Sequence, residues 1–82
     1  MTKEEILAEL TQIFRGIFDD DDLQITPATS ADDISEWDSL KHINIVVAAE
    51  MEFKVKFQTS EIESLKNVGE LVDLIAAKVA HR

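Results

Sequence analysis

Cysteine is absent from the 82 residues, and no cluster of ligands has the spacing of a structural metal site. A chain this short and without staples buries a modest share of its surface, so packing alone must hold it together. The missing cysteines also fit a reducing compartment. Because Met1-Thr2-Lys3-Glu4-Glu5 lacks the apolar core of a signal peptide, the chain is expected in the cytoplasm. Long hydrophobic runs are missing too. The longest, Ile45 to Ala49, falls far short of the roughly 18 residues that span a bilayer, so no stable membrane insertion is expected. Basic residues are scarce: 8 against 17 acidic ones give a formal charge of −9, which repels phosphate backbones and excludes nucleic acid as a partner. The same charge favours partners with basic docking patches. No phosphate-binding loop, metal cluster or set of nucleophile, base and orienting group is present, so the chain reads as no enzyme.

What is present is a globular composition, 45% hydrophobic, with no repeat and no low-complexity segment. Residues 1–82 are therefore expected to form a single domain and a monomer. Ile6, Leu10, Ile13, Phe14, Ile17 and Phe18 recur at three- and four-residue spacing and predict an amphipathic helix over 3–18. Thr2 and Glu5 supply a capping box at its start. Asp19 to Asp22 end it, since clustered like charges repel and sit badly at the negative end of a helix. The run is no EF-hand, because counting from Asp19 places Gln24 and Ser30 where glycine and glutamate belong. It reads as a solvated acidic loop with at most a nonspecific attraction for divalent cations. A long loop extends to Asp38, sustained by Thr26, Pro27, Thr29 and Ser30, anchored inward by Ile25 and Ile34, with a brief helical turn at Ser30 to Asp33.

From Ser39 to Phe53 nearly every position except Lys41, His42, Asn44, Glu50 and Glu52 is apolar, which predicts a central helix touching neighbours on more than one side. Lys54 to Phe57 alternates, yet four residues without a partner strand make only an extended connector. Ser60 with Glu63 is expected to open a short helix holding Ile62 and Leu65. Asn67 with Glu70 opens the last helix, carrying Val68, Leu71, Val72, Ile75 and Val79. The fold class is thus all-α, a four-helix bundle of three longer helices and one short, with a long loop between helices one and two.

The central helix starts differently from the others. Its N-cap Asp38 is followed three residues later by Lys41, where the other starts have glutamate, so the capping box stays open. Ser39 then occupies the first helical position, where free N–H groups and the positive dipole end face any attached anion. Glu36-Trp37-Asp38-Ser39-Leu40, then Ile43, Val46 and Val47, then Glu50-Met51-Glu52-Phe53, and finally Leu65 through Ile75 resemble acyl carrier proteins over essentially the whole chain. The resemblance implies a phosphopantetheine arm, taken from coenzyme A by a phosphopantetheinyl transferase and joined to Ser39, on which acyl groups ride as thioesters. It implies transferase or partner recognition by Asp38 and Leu40, with Trp37, Lys41, Ile43 and Glu50 beside them. It implies as partners acyl-loading and acyl-processing enzymes of fatty acid, polyketide or related biosynthesis. An aminoacyl or peptidyl carrier of the same fold, and an unmodified acidic adaptor, are the alternatives.

Departures from the fatty-acid members lie at Lys41, Asn44, Ala49 and in Glu36-Trp37, which replaces a usual glycine; together they suggest a dedicated carrier of a specialised pathway. Ala49 either enlarges an acyl cavity or makes room for a neighbouring side chain. Two readings of Trp37 stay open, a partner contact beside the arm or packing against the bundle. His42, three residues after Ser39 with no orienting group, reads as facing solvent or a partner rather than as a catalytic base. Met51 and Phe53 read as core, as lining for an acyl tunnel, or as both.

Overall fold

Thr2 Oγ1 accepts the Glu5 N–H at 3.1 Å and Glu5 Oε1 accepts the Thr2 N–H at 2.8 Å, so the first helix, α1 (Lys3–Ile17), begins with the expected reciprocal cap. The computed structural model describes residues 1–80 and continues with α2 (Ser39–Phe53), α3 (Thr59–Glu63) and α4 (Val68–Ala80), with no strand among the described residues. Three longer helices and one short one, with the long loop after the first, are the predicted architecture.

The core is built on α1. Its Ile6, Leu10 and Phe14 are fully buried with Ile45, Ala49 and Phe53 of α2 and with Val68, Leu71, Val72 and Ile75 of α4. Burial of each large side chain contributes about 1.5–3 kcal/mol, which for a chain without cross-links is the main source of stability. Ile13 and Ile17, on the edge of the same stripe, are half-buried against this core.

Both α1 and α2 end in a left-handed residue that turns the chain back. Asp19 has φ 52° and the next N–H, of Asp20, reaches the Arg15 carbonyl at 3.0 Å; Lys54 has φ 57° and the Val55 N–H reaches the Glu50 carbonyl at 3.2 Å. These bonds occupy carbonyls that a helix end otherwise leaves open. Arg15 Nε donates to the Leu23 carbonyl at 2.7 Å and draws the start of the long loop back onto α1. The aspartates there bond among themselves, Asp22 N–H to Asp20 Oδ1 at 3.1 Å, and among the described residues no group of histidines and carboxylates is arranged to hold a metal ion.

The loop is packed. Ile25 is buried, Leu23, Ile34 and Trp37 lie against the core, and Ser30 to Asp33 form a single turn closed at 3.0 Å rather than a helix. Its carbonyls also cap α4: Val68 N–H donates to Thr29 and Gly69 N–H to Pro27, each at 2.8 Å. Asn67 Oδ1 takes the Glu70 N–H at 2.9 Å, so the last helix starts where Asn67 places it.

Two expectations need correction. The short helix is set two residues earlier than Ser60 and Glu63 suggest, because Glu61 Oε1 takes the Gln58 N–H at 2.7 Å and the same carboxylate meets Lys78 of α4 at 3.0 Å. Leu65 consequently lies beyond the helix, half-buried in the turn before α4. As expected, α2 touches neighbours on more than one side, namely α1, the loop at Trp37 and α3, while Leu40, Ile43, Val47 and Met51, at helical spacing, form an exposed apolar stripe. Met51 is 75% exposed and Phe53 is 1% exposed, so they point in opposite directions and line no common tunnel. No helix of the described residues is long and apolar enough to cross a membrane.

The two glycines make opposite predictions. A Cβ added at Gly16 meets nothing within 4 Å, whereas at Gly69 it falls 2.9 Å from the Pro27 carbonyl oxygen, a backbone atom. Gly16→Ala is expected to stabilise the fold by about 0.5–1 kcal/mol through helix propensity. Gly69→Ala is expected to destabilise it by about 1–2 kcal/mol, because the loop carbonyl must retreat from the helix start it caps. Urea denaturation of both variants decides the matter; a Gly69→Ala protein as stable as wild type would show the junction to be loose.

Candidate functional site

The start of α2 is held by its backbone and left free at its tip. Asp38 is extended, with φ −107°, and its Oδ1 accepts the Lys41 N–H at 2.8 Å while its carbonyl takes the His42 N–H at 2.9 Å. Glutamate would close a box at position 41, but the lysine there turns away, donating Nζ to the Ile17 carbonyl at 3.2 Å and lying 6.0 Å from the Phe18 ring centre. Its cation sits at the negative end of α1, where a positive charge is favoured.

Ser39 is exposed at the first helical position, and its hydroxyl makes no hydrogen bond among the described residues. The N–H groups of Ser39 and Leu40 likewise have no protein acceptor among the described residues, which leaves two donors and the positive helix end facing outward. Leu40 and Ile43 continue outward from the serine, 66% and 55% exposed.

Beside Ser39 runs an open groove of 770 Å³ between α2 and α3, walled by Trp37, His42, Ile43, Thr59, Ile62 and Leu65. Its inner side is made by an aromatic pair. Trp37 stacks on His42 with ring centres 6.0 Å apart and planes at 23°, and meets Phe14 edge-on at 5.2 Å and 87°. Trp37 Nε1–H donates to His42 Nδ1 at 3.3 Å, which puts the neutral imidazole's proton on Nε2, where it points to the Ile62 carbonyl at 3.4 Å. His42 therefore faces inward, and the expectation of a solvent-facing or partner-facing histidine is corrected. Of the two readings of Trp37, half-buried packing is the one observed.

The remaining expected recognition residue, Glu50, lies at the far end of α2, where Oε2 takes the Phe57 N–H at 2.9 Å and fixes the connector to α3. Asp38, Ser39, Leu40 and Ile43 thus share one surface, while Lys41, Glu50 and Trp37 are engaged within the chain. Ala49 is fully buried in the core and lines no part of the groove. The groove walls Thr59, Ile62 and Leu65 carry no local signal in the sequence. Trp37 and His42 do, since they occupy the positions just before the cap and four into the helix, the spacing of a hydrophobic staple.

A family model described as "Phosphopantetheine attachment site" matches residues 8–75. An acyl carrier protein of Acidothermus cellulolyticus is 38% identical over 93% of this chain and 90% of its own length. The chain belongs to the acyl carrier protein family. A holo acyl carrier protein from Geobacter metallireducens, solved in solution, superposes with a TM-score of 0.85 at 51% identity, covering 92% of this chain and 86% of that one. The meromycolate extension acyl carrier protein of Mycobacterium leprae is 32% identical over 92% of this chain and 65% of its own length. The carrier fold also extends to an acyl carrier protein of Thermotoga maritima, with a TM-score of 0.84 at 20% identity. This is a family of carriers, not enzymes, and its prosthetic group is a covalent phosphopantetheine. The residues here fit such a group: an exposed hydroxyl, two N–H donors without protein acceptors and a positive helix end are what a phosphodiester needs.

Two predictions concern what holds this site. Asp38→Ala is expected to cost about 0.5–2 kcal/mol in a urea titration, whereas Asp38→Asn, whose amide oxygen still accepts from Lys41, should retain most of that. The second concerns pH. The Gln58 N–H and then Lys78 hold the Glu61 carboxyl below its ordinary 4.5, as the Thr2 backbone and hydroxyl do for Glu5. A carboxylate lowered in the folded state contributes stability that is full above the unfolded value and is lost as pH falls through the folded one. The stability gap between wild type and Glu61→Gln should therefore be widest near neutrality and shrink below 4.5. A gap independent of pH would show that the carboxylate's charge contributes nothing to holding α3.

Proposed function

We propose that Ser39 is the attachment site of the phosphopantetheine arm and that the chain carries acyl groups on it as thioesters to enzymes of fatty acid, polyketide or related biosynthesis. One observation carries the reading: the Ser39 hydroxyl stands exposed and unbonded at the first position of α2, beside outward N–H donors and an open groove. A phosphopantetheinyl transferase would join the arm there. The serine oxygen displaces adenosine bisphosphate from coenzyme A, a phosphodiester forms, and the hydroxyl proton leaves to a base or to water. A flexible tether then raises the effective concentration of cargo at each enzyme that docks.

Asp38, Leu40 and Ile43 supply the surface a transferase or partner enzyme meets, and the charge of −9 supports partners with basic docking patches. Lys41, Glu50 and Trp37 support recognition indirectly, by fixing the helix and its approaches. Asn44 also gives the exposed side of α2 less acidity than the fatty-acid carriers it resembles, and Lys41, engaged at the end of α1, is a second departure, in keeping with a dedicated carrier of a specialised pathway. The carrier is proposed to act as a cytoplasmic monomer.

Intact mass measurement tests the assignment. Incubated with coenzyme A and a permissive phosphopantetheinyl transferase, the wild-type chain should gain the mass of one arm and Ser39→Ala should gain none. An unmodified wild type would favour the acidic adaptor, and a modified Ser39→Ala would move the site elsewhere. Loading of the holo protein with fatty acyl, malonyl and aminoacyl donors then separates the acyl carrier from an aminoacyl or peptidyl carrier.

A further inference from the structure

Behind the groove lies a second, smaller hollow of 50 Å³ that reaches the core at Leu71 and borders Asn67. The two spaces share Ala31, Trp37, His42 and Leu65 in their walls, and only the outer one touches Ser39. The aromatic pair, flanked by Ala31 and Leu65, thus stands between them as a partition. It is a built wall: Trp37 is braced edge-on by Phe14, Trp37 Nε1–H bonds to His42, and His42 Nε2 bonds to the Ile62 carbonyl of α3. The inner hollow has room for about one or two water molecules and none for an acyl chain.

We propose that the Trp37–His42 pair is the end wall of the cargo groove and limits the carrier to short acyl groups, which lie in the outer groove without entering the core. This rests on the carrier reading of Ser39 and names the class of cargo. Two physical facts support it. For a long chain to pass inward, the pair must part, which breaks the indole–imidazole bond and the His42–Ile62 bond and pulls Trp37 from its contact with Phe14. The outer groove cannot replace the shelter of a core, because it is open to solvent along its length and Asp38, Ser39, Thr59 and Glu63 stand among its apolar walls. An alkyl tail lying there keeps much of its surface in water and gains little from longer length.

The wall is testable with and without the arm. In the arm-free protein, benzene serves as a small apolar probe and the leucine methyl signals report where it goes. Wild type should show no shift at Leu71, whereas His42→Ala, which removes the ring but leaves Trp37 against Phe14, should show saturable shifts at Leu65 and Leu71. His42→Val is the second variant, should the alanine protein not fold. In the holo protein, straight-chain thioesters from acetyl to lauroyl are compared for their rate of hydrolysis. On wild type the half-life should be the same along the series; on the His42 variant it should lengthen several-fold for the longest chains. Protection that rises with chain length on wild type, benzene reaching Leu71 in wild type, or a folded His42 variant that behaves as wild type in both assays would overturn the proposal. Failure of the carrier reading is seen separately, as absence of the arm by mass, and the benzene titration still decides whether the wall exists.

Discussion

Trp37 ties the long loop to the core and the core to the start of α2. Its ring meets Phe14 at nearly a right angle and lies nearly parallel to His42, and its N–H is bonded to the imidazole. Aromatic contacts of this geometry add about 0.5–1.5 kcal/mol each beyond the area they bury. More important is where the contact falls, one residue before the cap and two before Ser39. With Trp37 seated, Asp38 must lie extended, its carboxylate must meet the Lys41 N–H, and the next side chain must emerge at the surface. The exposed serine therefore follows from a half-buried tryptophan packed against the core.

Lys41 serves the same end from the other direction. A glutamate at that position would close the cap and add negative charge beside the open N–H groups of Ser39 and Leu40. The lysine instead sends its cation to the Ile17 carbonyl, neutralising the negative end of α1 and fastening α2 to it. One residue thus keeps the tip of α2 unfilled and joins two helices. The contact is half-buried and made to a backbone carbonyl, so salt screens it less than the exposed Lys3–Asp73 pair at 2.8 Å.

Much of this was legible in the residues, and the part that was not is physically distinct from the part that was. Thr2 with Glu5, Asp38 ahead of Ser39, and Asn67 ahead of Glu70 are signals complete within four residues, and the helices begin where they say. Ser60 and Glu63 make an equally good local pattern. It loses to Gln58 and Glu61 because Lys78, on another helix, offers its charge to Glu61, and nothing near the short helix announces that. Composition also cannot tell an exposed stripe from a core stripe, since both are apolar. Ile45, Ala49 and Phe53 are buried while Leu40, Ile43, Val47 and Met51 on the same helix are exposed, and only the positions of α1 and α4 separate the two sets. For His42 the staple spacing was readable, but its second partner, the Ile62 carbonyl, lies 20 residues away.

The short helix is where these long-range contacts matter most. α3 has no fully buried residue, and it is held by the Glu61–Lys78 pair, the His42–Ile62 bond and the approach fixed by Glu50 at Phe57. An element with so little buried apolar surface sits at the low end of local stability and opens at less cost than α1, α2 or α4. It also forms one wall of the groove beside Ser39. Movement of α3 would widen the outer groove without disturbing Phe14, Phe53 or Ile75, whereas movement of Trp37 would strip the core and misplace the serine. The fold thus separates a wall that yields from a wall that holds.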